Sequence, residues 1–285
     1  SSMLERKGAK PMKKSKIICV CHEKGGTGKT TTTVSLGIGL ARQGKKVLLV
    51  DADPQGDLSK CLGIANPQDL SHTLADAMNS VINENSADPS SVILSHDEGV
   101  DFIPANATLA ATEITLVNAM GREYVLKEFL SVLKDRYQYI LIDCRPSLGL
   151  TVINALTTAD SVIIPVQAHT LAADDMDGLF KTVGRIKRQT NPQLKIDGIV
   201  MTMVDGRTNL ARQTIREVRE RYGQVVRVFD IEIPYAVRAA EVPGKGQSIF
   251  RYDPNGKVAK AYEQLTKEVL NIGSREKKAR DTNAR

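Results

Sequence analysis

Seven consecutive residues, Lys24-Gly25-Gly26-Thr27-Gly28-Lys29-Thr30, have the types and spacing to hold a phosphate group. Glycines let the backbone turn several N–H groups onto one anion. A helix starting at Lys29 would aim the partial positive charge of its N-terminus at the same point. Lys29 is then a cation within reach of the β- and γ-phosphates of a nucleotide, and the Thr30 hydroxyl is a ligand for Mg²⁺. Thr31 completes the binding stretch. Acidic residues for the metal stand elsewhere in the chain. Asp143 ends the run Tyr-Gln-Tyr-Ile-Leu-Ile-Asp, and a carboxylate at the end of a hydrophobic strand sits beside the Mg²⁺ of a phosphate site. Asp51 and Asp53 follow Val47-Leu48-Leu49-Val50, at the carboxyl end of a second apolar run, where open α/β sheets bind ligands.

The surrounding chain supplies elements that can position these groups. A β-branched run over 17–21 reads as a buried strand, and apolar periodicity from Lys29 to Gln43 as a helix ended by Gly44. Residues 47–50 make a second strand, buried on both faces. Residues 64–121 carry no evident chemistry: a helix over 70–82, short strands over 92–94 and 100–103, then a helix over 107–119 that leads to one at 122–134. His72 and His96 read there as isolated surface residues. Strands over 137–143, 161–165, 196–203 and 225–229 alternate with helices over 171–188 and 210–222, the second capped by Asn209. A closing helix over 257–271 carries one apolar stripe through Val258, Tyr262, Leu265 and Val269. Alternating strands and helices specify an α/β fold, a mostly parallel twisted sheet with helices on both faces. The pattern is read as a single domain over 16–272, flanked by flexible basic segments at 1–15 and 273–285.

Composition bounds the function classes. With 41% hydrophobic and 25% charged residues the chain reads as an ordinary soluble globular protein, and no apolar run approaches the roughly 20 residues of a membrane span. The net charge of +6 comes from the two ends, leaving a slightly acidic body. Those ends read either as solvated tails or as weak attractants for polyanions. Cys19, Cys21, Cys61 and Cys144 form no CxxC pair and have no histidine at zinc spacing, so they read as small core residues. On the helix over 210–222, Arg212, Arg216 and Arg219 recur at i, i+4 and i+7, with Arg207 in the loop before it. The stripe is either a solvated face or a surface for phosphate backbones.

A strict phosphate loop requires a second glycine at position 23, where glutamate stands; instead a second lysine, Lys24, opens the loop. This stretch resembles the deviant P-loop of the ParA/MinD family, whose usual form is KGGVGKT. Asp51-Ala52-Asp53-Pro54-Gln55-Gly56 matches that family's D-x-D-P-Q-G element, and Cys144-Arg145-Pro146-Ser147-Leu148-Gly149 its switch segment after the strand aspartate. Arg145 departs from the pattern, standing where proline is usual. The stretch from Ile233, IPYAVRAAEVPGKGQSI, is close to the family's IPxNxxxxEAPxxGxxI. Together these four elements resemble the ParA/Soj family of DNA-partition ATPases.

The resemblance implies ATP and Mg²⁺ as cofactors, bound by the loop from Lys24 through Thr31, with Asp143 in the metal's outer shell and Asp51 supporting the site. Asp53 would position or activate the attacking water, and Pro234 would belong to the loop bordering the adenine. Lys24 would reach across a two-fold interface to the partner subunit's nucleotide, making an ATP-dependent homodimer. Arg207, Arg212, Arg216 and Arg219 would bind non-specific DNA, and a ParB-type centromere-binding protein would stimulate slow hydrolysis. Such a protein is cytoplasmic and nucleoid-associated, with no membrane partner. The alternative is a MinD-like membrane-associated positioning ATPase, which needs an amphipathic C-terminal helix; after Ile272 there is no large apolar residue to insert. A reductase of nitrogenase-iron-protein type needs cluster cysteines, and a nucleotide-gated regulator would have lost hydrolysis through Arg145.

Overall fold

The computed structural model describes residues 15–85, 88–168 and 176–283. In chain order the first part comprises β1 (Lys16–Val20), α1 (Lys29–Arg42), β2 (Val47–Ala52), α2 (Asp57–Cys61), α3 (Leu74–Ile82), β3 (Leu94–Ser95), β4 (Asp101–Ile103), α4 (Thr108–Val117) and α5 (Val125–Ser131). Then follow β5 (Tyr139–Cys144), α6 (Leu150–Thr158), β6 (Ser161–Gln167), α7 (Asp177–Gln189), β7 (Lys195–Val204), α8 (Asn209–Tyr222), β8 (Val228–Pro234), α9 (Val237–Ala240), α10 (Ile249–Tyr252) and α11 (Lys257–Asn283). The strands form one sheet in the order β3-β4-β2-β5-β1-β6-β7-β8. All pairs are parallel except β3 with β4 at the edge.

Unbroken aliphatic runs explain the centre. Every residue of β2 and β5 is buried, as expected for strands covered on both sides. Successive residues face opposite ways. Leu49, Leu141 and Ile163 pack against Leu36 and Ile38 of α1 and Tyr262, Leu265 and Val269 of α11. Leu48, Ile140 and Val162 meet Leu74, Leu126, Leu156 and Leu179 from α3, α5, α6 and α7 on the other side. Close approach of α1 to α11 depends on Gly39, where a Cβ would lie 2.3 Å from Thr266 Oγ1. The expected doubly covered, mostly parallel sheet is what the chain forms.

Several boundaries differ from the sequence reading. The helix α3 starts at Leu74 rather than at 70, because Thr73 and Asp76 make a reciprocal capping box preceded by a single 3₁₀ turn at Pro67–Asp69. Thr208, not Asn209, caps α8: its hydroxyl accepts the Ala211 N–H at 3.2 Å. Residues 225 and 226 are not strand, since their N–H groups donate to the Tyr222 carbonyl and close the end of α8. Past the expected boundary at 272, α11 continues to Asn283; Gly273 is its one weak residue, and the sequence beyond is rich in Arg, Lys, Glu and Ala, which favour helix. The described part of the 273–285 segment is therefore helix rather than a loose tail. His96 is no surface residue, its side chain being only 7% exposed. The basic segment before Ser15, and the start of the expected helix over 171–188, lie outside the described residues. Ser15 itself is buried, its hydroxyl within hydrogen-bond reach of the Lys134 and Tyr137 carbonyls.

Leu265 is fully buried where α11 meets the sheet. Leu265→Ala is expected to destabilise the fold by about 2–5 kcal/mol, read as a lowered midpoint in chemical denaturation.

Candidate active site

The loop between β1 and α1 turns through two left-handed glycines, Gly26 at φ 74° and Gly28 at φ 85°. A β-carbon would be strained at both, which is why glycine stands there. Thr202 of β7 donates its hydroxyl to the Thr27 carbonyl at 2.8 Å and fastens the loop to the sheet. Lys29, buried at the start of α1, donates from Nζ to the Lys24 carbonyl at 2.9 Å, so the two lysines meet within one loop. Burial lowers the Lys29 pKa, while the nearby Asp143 opposes that shift.

Two aspartates face each other across neighbouring strands, Asp51 of β2 in register with Asp143 of β5. Both are buried. Thr30 Oγ1 donates to Asp143 Oδ2 at 2.7 Å, and Thr33 Oγ1 lies 3.3 Å from its other oxygen. Asp51 accepts the Ser59 N–H at 2.9 Å, the Ser59 hydroxyl at 2.6 Å and the Asp53 N–H at 3.2 Å. Burial pushes the Asp51 carboxyl up to about 7 against those bonds. Burial, then the charge of Asp51, holds Asp143 well above the usual carboxylate range. Positive charge placed by Thr30 would reverse both shifts. A hydroxyl aimed at a buried carboxylate, with a second carboxylate behind it, is a donor set suited to hard, oxygen-seeking Mg²⁺.

In front of these groups opens a cavity of about 470 Å³. Gly25, Gly26, Gly28, Lys29, Thr30 and Thr31 line one side. Asp53 and Gln55 close another, together with Arg145 and Met203. Of the expected residues, Gly25, Gly26, Gly28, Lys29, Thr30, Thr31 and Asp53 converge on one space, with Asp143 behind Thr30 and Asp51 beside it on the neighbouring strand; Lys24 and Thr27 are not among the lining residues. Pro234, expected beside the adenine rather than the phosphates, ends β8 in register with Val204 and is not among the residues that line this cavity. The space has the size and donors for a di- or triphosphate, and Asp53 adds a carboxylate to its wall, one oxygen of which accepts the Gln55 N–H at 3.0 Å.

The arginines of α8 are not equivalent. Arg207 forks onto Asp205 with bonds of 2.9 and 2.8 Å. Arg212 donates to Asn209 Oδ1 at 3.1 Å and is exposed, as is Arg216. Arg219 is drawn onto β8, donating to the Phe229 carbonyl at 3.2 Å with Glu232 at 3.6 Å. The outward cationic face is therefore Arg207, Arg212 and Arg216.

Sequence reasoning missed Ser59, Thr202, Met203 and Glu113. Glu113, in a stretch read as chemically silent, ion-pairs with Arg145 at 2.6 Å. None of the four falls in a motif; only strand adjacency or a tertiary contact reveals them. A separate group, His96, Asp97 and Glu98, gathers three potential ligands. It serves instead as a latch: Glu98 accepts the Ser248 N–H and hydroxyl, Asp97 pairs with Arg251, and His96 Nε2 donates to the Gly246 carbonyl. The Glu98 N–H donates to His96 Nδ1, which places the imidazole proton on Nε2.

Residues 15–196 match the family model AAA_31, an AAA domain. The sporulation initiation inhibitor protein Soj of Bacillus subtilis is 44% identical over 259 residues, spanning 90% of this chain and 99% of its own length. The chromosome partitioning protein ParA of Caulobacter vibrioides is 38% identical over 257 residues, 90% of this chain and 94% of its own. Among solved structures, a cobyrinic acid a,c-diamide synthase of Mycobacterium smegmatis with bound ADP and magnesium superposes with a TM-score of 0.80 at 34% identity, covering 91% of this chain and 96% of that one. The septum site-determining protein MinD of Pyrococcus horikoshii, complexed with Mg-ADP, gives 0.70 at 25%, covering 91% and 97%. With a lysine opening its phosphate loop, paired strand-end aspartates and relatives matching along nine-tenths of its length, the chain belongs to the ParA/Soj family of partition ATPases.

Proposed function

We propose that the chain is a Mg²⁺-dependent ATPase of DNA partition, in which ATP binding forms a homodimer that holds DNA and hydrolysis releases it. The observation that carries this reading is the contact of Thr30 with Asp143 beside a cavity that Lys29 and Asp53 both line. Mg²⁺ bound there supplies charge neutralisation for the phosphates. Asp143 orients the Thr30 hydroxyl so that its oxygen faces the cavity. Lys29 has three donors, so it can keep the Lys24 carbonyl while reaching a phosphate oxygen. The glycine N–H groups hold the phosphate chain, and Asp53 orients the water and receives its proton. Lys24, at the start of the loop, acts on the partner subunit's nucleotide.

Dimerisation places two arginine faces on one particle, which steepens the salt dependence of DNA binding and multiplies its affinity. A ParB-type centromere-binding protein is the partner that accelerates hydrolysis. The likeness to a diamide synthase, at 34% identity, weighs less than the partition names of relatives at 44% and 38%. The MinD-like alternative needs an amphipathic helix that inserts into lipid. No helix among the described residues is long and apolar enough to cross a membrane. Co-sedimentation with anionic vesicles in the presence of ATP would replace the DNA reading with the membrane one.

Separate substitutions test the separate roles. Lys29→Ala is expected to abolish binding of a fluorescent ATP analogue while the circular dichroism spectrum stays unchanged. Lys24→Ala keeps nucleotide binding but loses the ATP-dependent dimer in sedimentation velocity; a persisting dimer removes Lys24 from the interface. Arg212→Glu combined with Arg216→Glu loses filter retention of duplex DNA and spares nucleotide binding. Single neutral replacements reduce the salt slope of DNA binding by about 0.9 per lost phosphate contact. Arg219 is left intact because a glutamate there would face Glu232 and Asp230.

A further inference from the structure

We propose that Arg145 is the residue by which this chain distinguishes a nucleoside triphosphate from a diphosphate, with Glu113 setting how strongly it does so. The inference rests on the nucleotide reading of the cavity and adds a specificity-determining side chain to it.

Arg145 follows β5 two residues after Asp143, and β5 lies beside β1, with Asp143 in register with Val20 just before the phosphate loop. Its side chain, 32% exposed, lines the same cavity as Gly26, Lys29, Thr30 and Asp53. A guanidinium has five N–H donors and stays charged at any working pH. One of them is engaged, on Glu113 Oε2 at 2.6 Å; the others have no protein partner among the described residues. The remaining fork matches the geometry of a terminal phosphate, which guanidinium binds through paired hydrogen bonds.

Glu113 is a fixed anchor. Its other oxygen accepts the Thr151 N–H at 3.2 Å in the first turn of α6, and it packs so tightly on Gly149 that a Cβ there would lie 2.2 Å from Oε1. The carboxylate therefore cannot follow the arginine into the cavity. Arg145 must lean from Glu113 toward an incoming phosphate or divide its donors between the two. The segment between them is not fully satisfied as it stands: Ser147 Oγ and Thr151 Oγ1 are buried without a hydrogen-bond partner. A shift of the Arg145 loop has polar groups ready to re-pair.

The charge balance gives the discrimination its sign. Asp53 and Asp57 line the cavity beside Lys29 and Arg145. A triphosphate brings an extra phosphate and more negative charge than a diphosphate, so a cation that reaches only the terminal group favours the triphosphate alone. The phosphate loop and Lys29 serve both nucleotides.

Calorimetric titration of the full chain with ADP and with ATPγS, each with Mg²⁺, tests this. Arg145→Gln is expected to lower the ATPγS-over-ADP preference about tenfold with ADP affinity unchanged, and Glu113→Gln, which keeps an acceptor for Thr151 but removes the charge, to raise it. Arg145→Pro, the residue that the family resemblance would place there, is the second variant and should match Arg145→Gln. If Arg145→Gln and Arg145→Pro leave the preference unchanged, or weaken both nucleotides equally, Arg145 is only a clip between α4 and the loop after β5, and the proposal is overturned. Failure of the unchanged protein to bind either nucleotide would overturn the cavity reading itself.

Discussion

Asp51 and Asp143 lie side by side on adjacent parallel strands, both buried, and the structure around them is organised by the need to tolerate that pair. Two neighbouring buried carboxylates cannot both ionise at ordinary cost. The chain surrounds them with donors: Ser59 and the Asp53 N–H for one, Thr30 and Thr33 for the other, and the Lys29 ammonium nearby. Still their pKa values remain raised, so donors alone do not offset the burial. A divalent cation placed at the hydroxyl in front of them would favour the charged form of both carboxyls and so complete what the donors leave undone.

This constraint gives the short helix α2 its role. Its job is to present the N–H and hydroxyl of Ser59 to Asp51, and the Ser59 oxygen also accepts the Ala105 N–H at 3.1 Å. The turn that precedes it carries Asp53 into the cavity. The same logic fixes α1: Thr30 and Thr33 sit one turn apart, and only a helix places both hydroxyls on Asp143 while Leu36 and Leu40 pack on the sheet.

Much of this was legible because it is local. Strand, glycine turn and helix occur within one short stretch, and strand-end aspartates follow uninterrupted aliphatic runs, so residue type and spacing suffice. What was not legible depends on contacts between distant segments. Glu113 is the one charged residue in the mostly apolar stretch of α4, and nothing in its spacing marks it until the fold brings it to Arg145. Thr202 is one of several β-branched residues in β7, and only strand order puts it under the Thr27 carbonyl. The arginine stripe of α8 was visible as spacing, yet spacing cannot tell that Arg219 serves β8. The boundaries at 70 and 271 slipped for a related reason: a capping box shortened one helix, and favourable composition carried the other past a glycine.

The placement of α8 bears on how a phosphate site can govern a distant cationic face. Met203 lines the cavity from the end of β7 in a left-handed conformation, at φ 51°, unusual for a residue with a side chain. The chain then passes Asp205 and Arg207, and α8 begins at Asn209. The same strand end pairs with β8 through Val204 and Pro234, and Tyr235 N–H donates to the Val204 carbonyl at 3.0 Å. Arg219 ties the far end of α8 back onto β8. The helix is thus joined at its start to the strand end that carries Met203 and tied near its far end to the first residues of β8. A rearrangement at the phosphates would not need to bend α8 to be felt there; it would reorient the helix as a unit, and with it Arg212 and Arg216. Two subunits joined through their phosphate sites would hold two such faces in a set relation. Bound DNA would then report the relation between subunits rather than any change within one arginine.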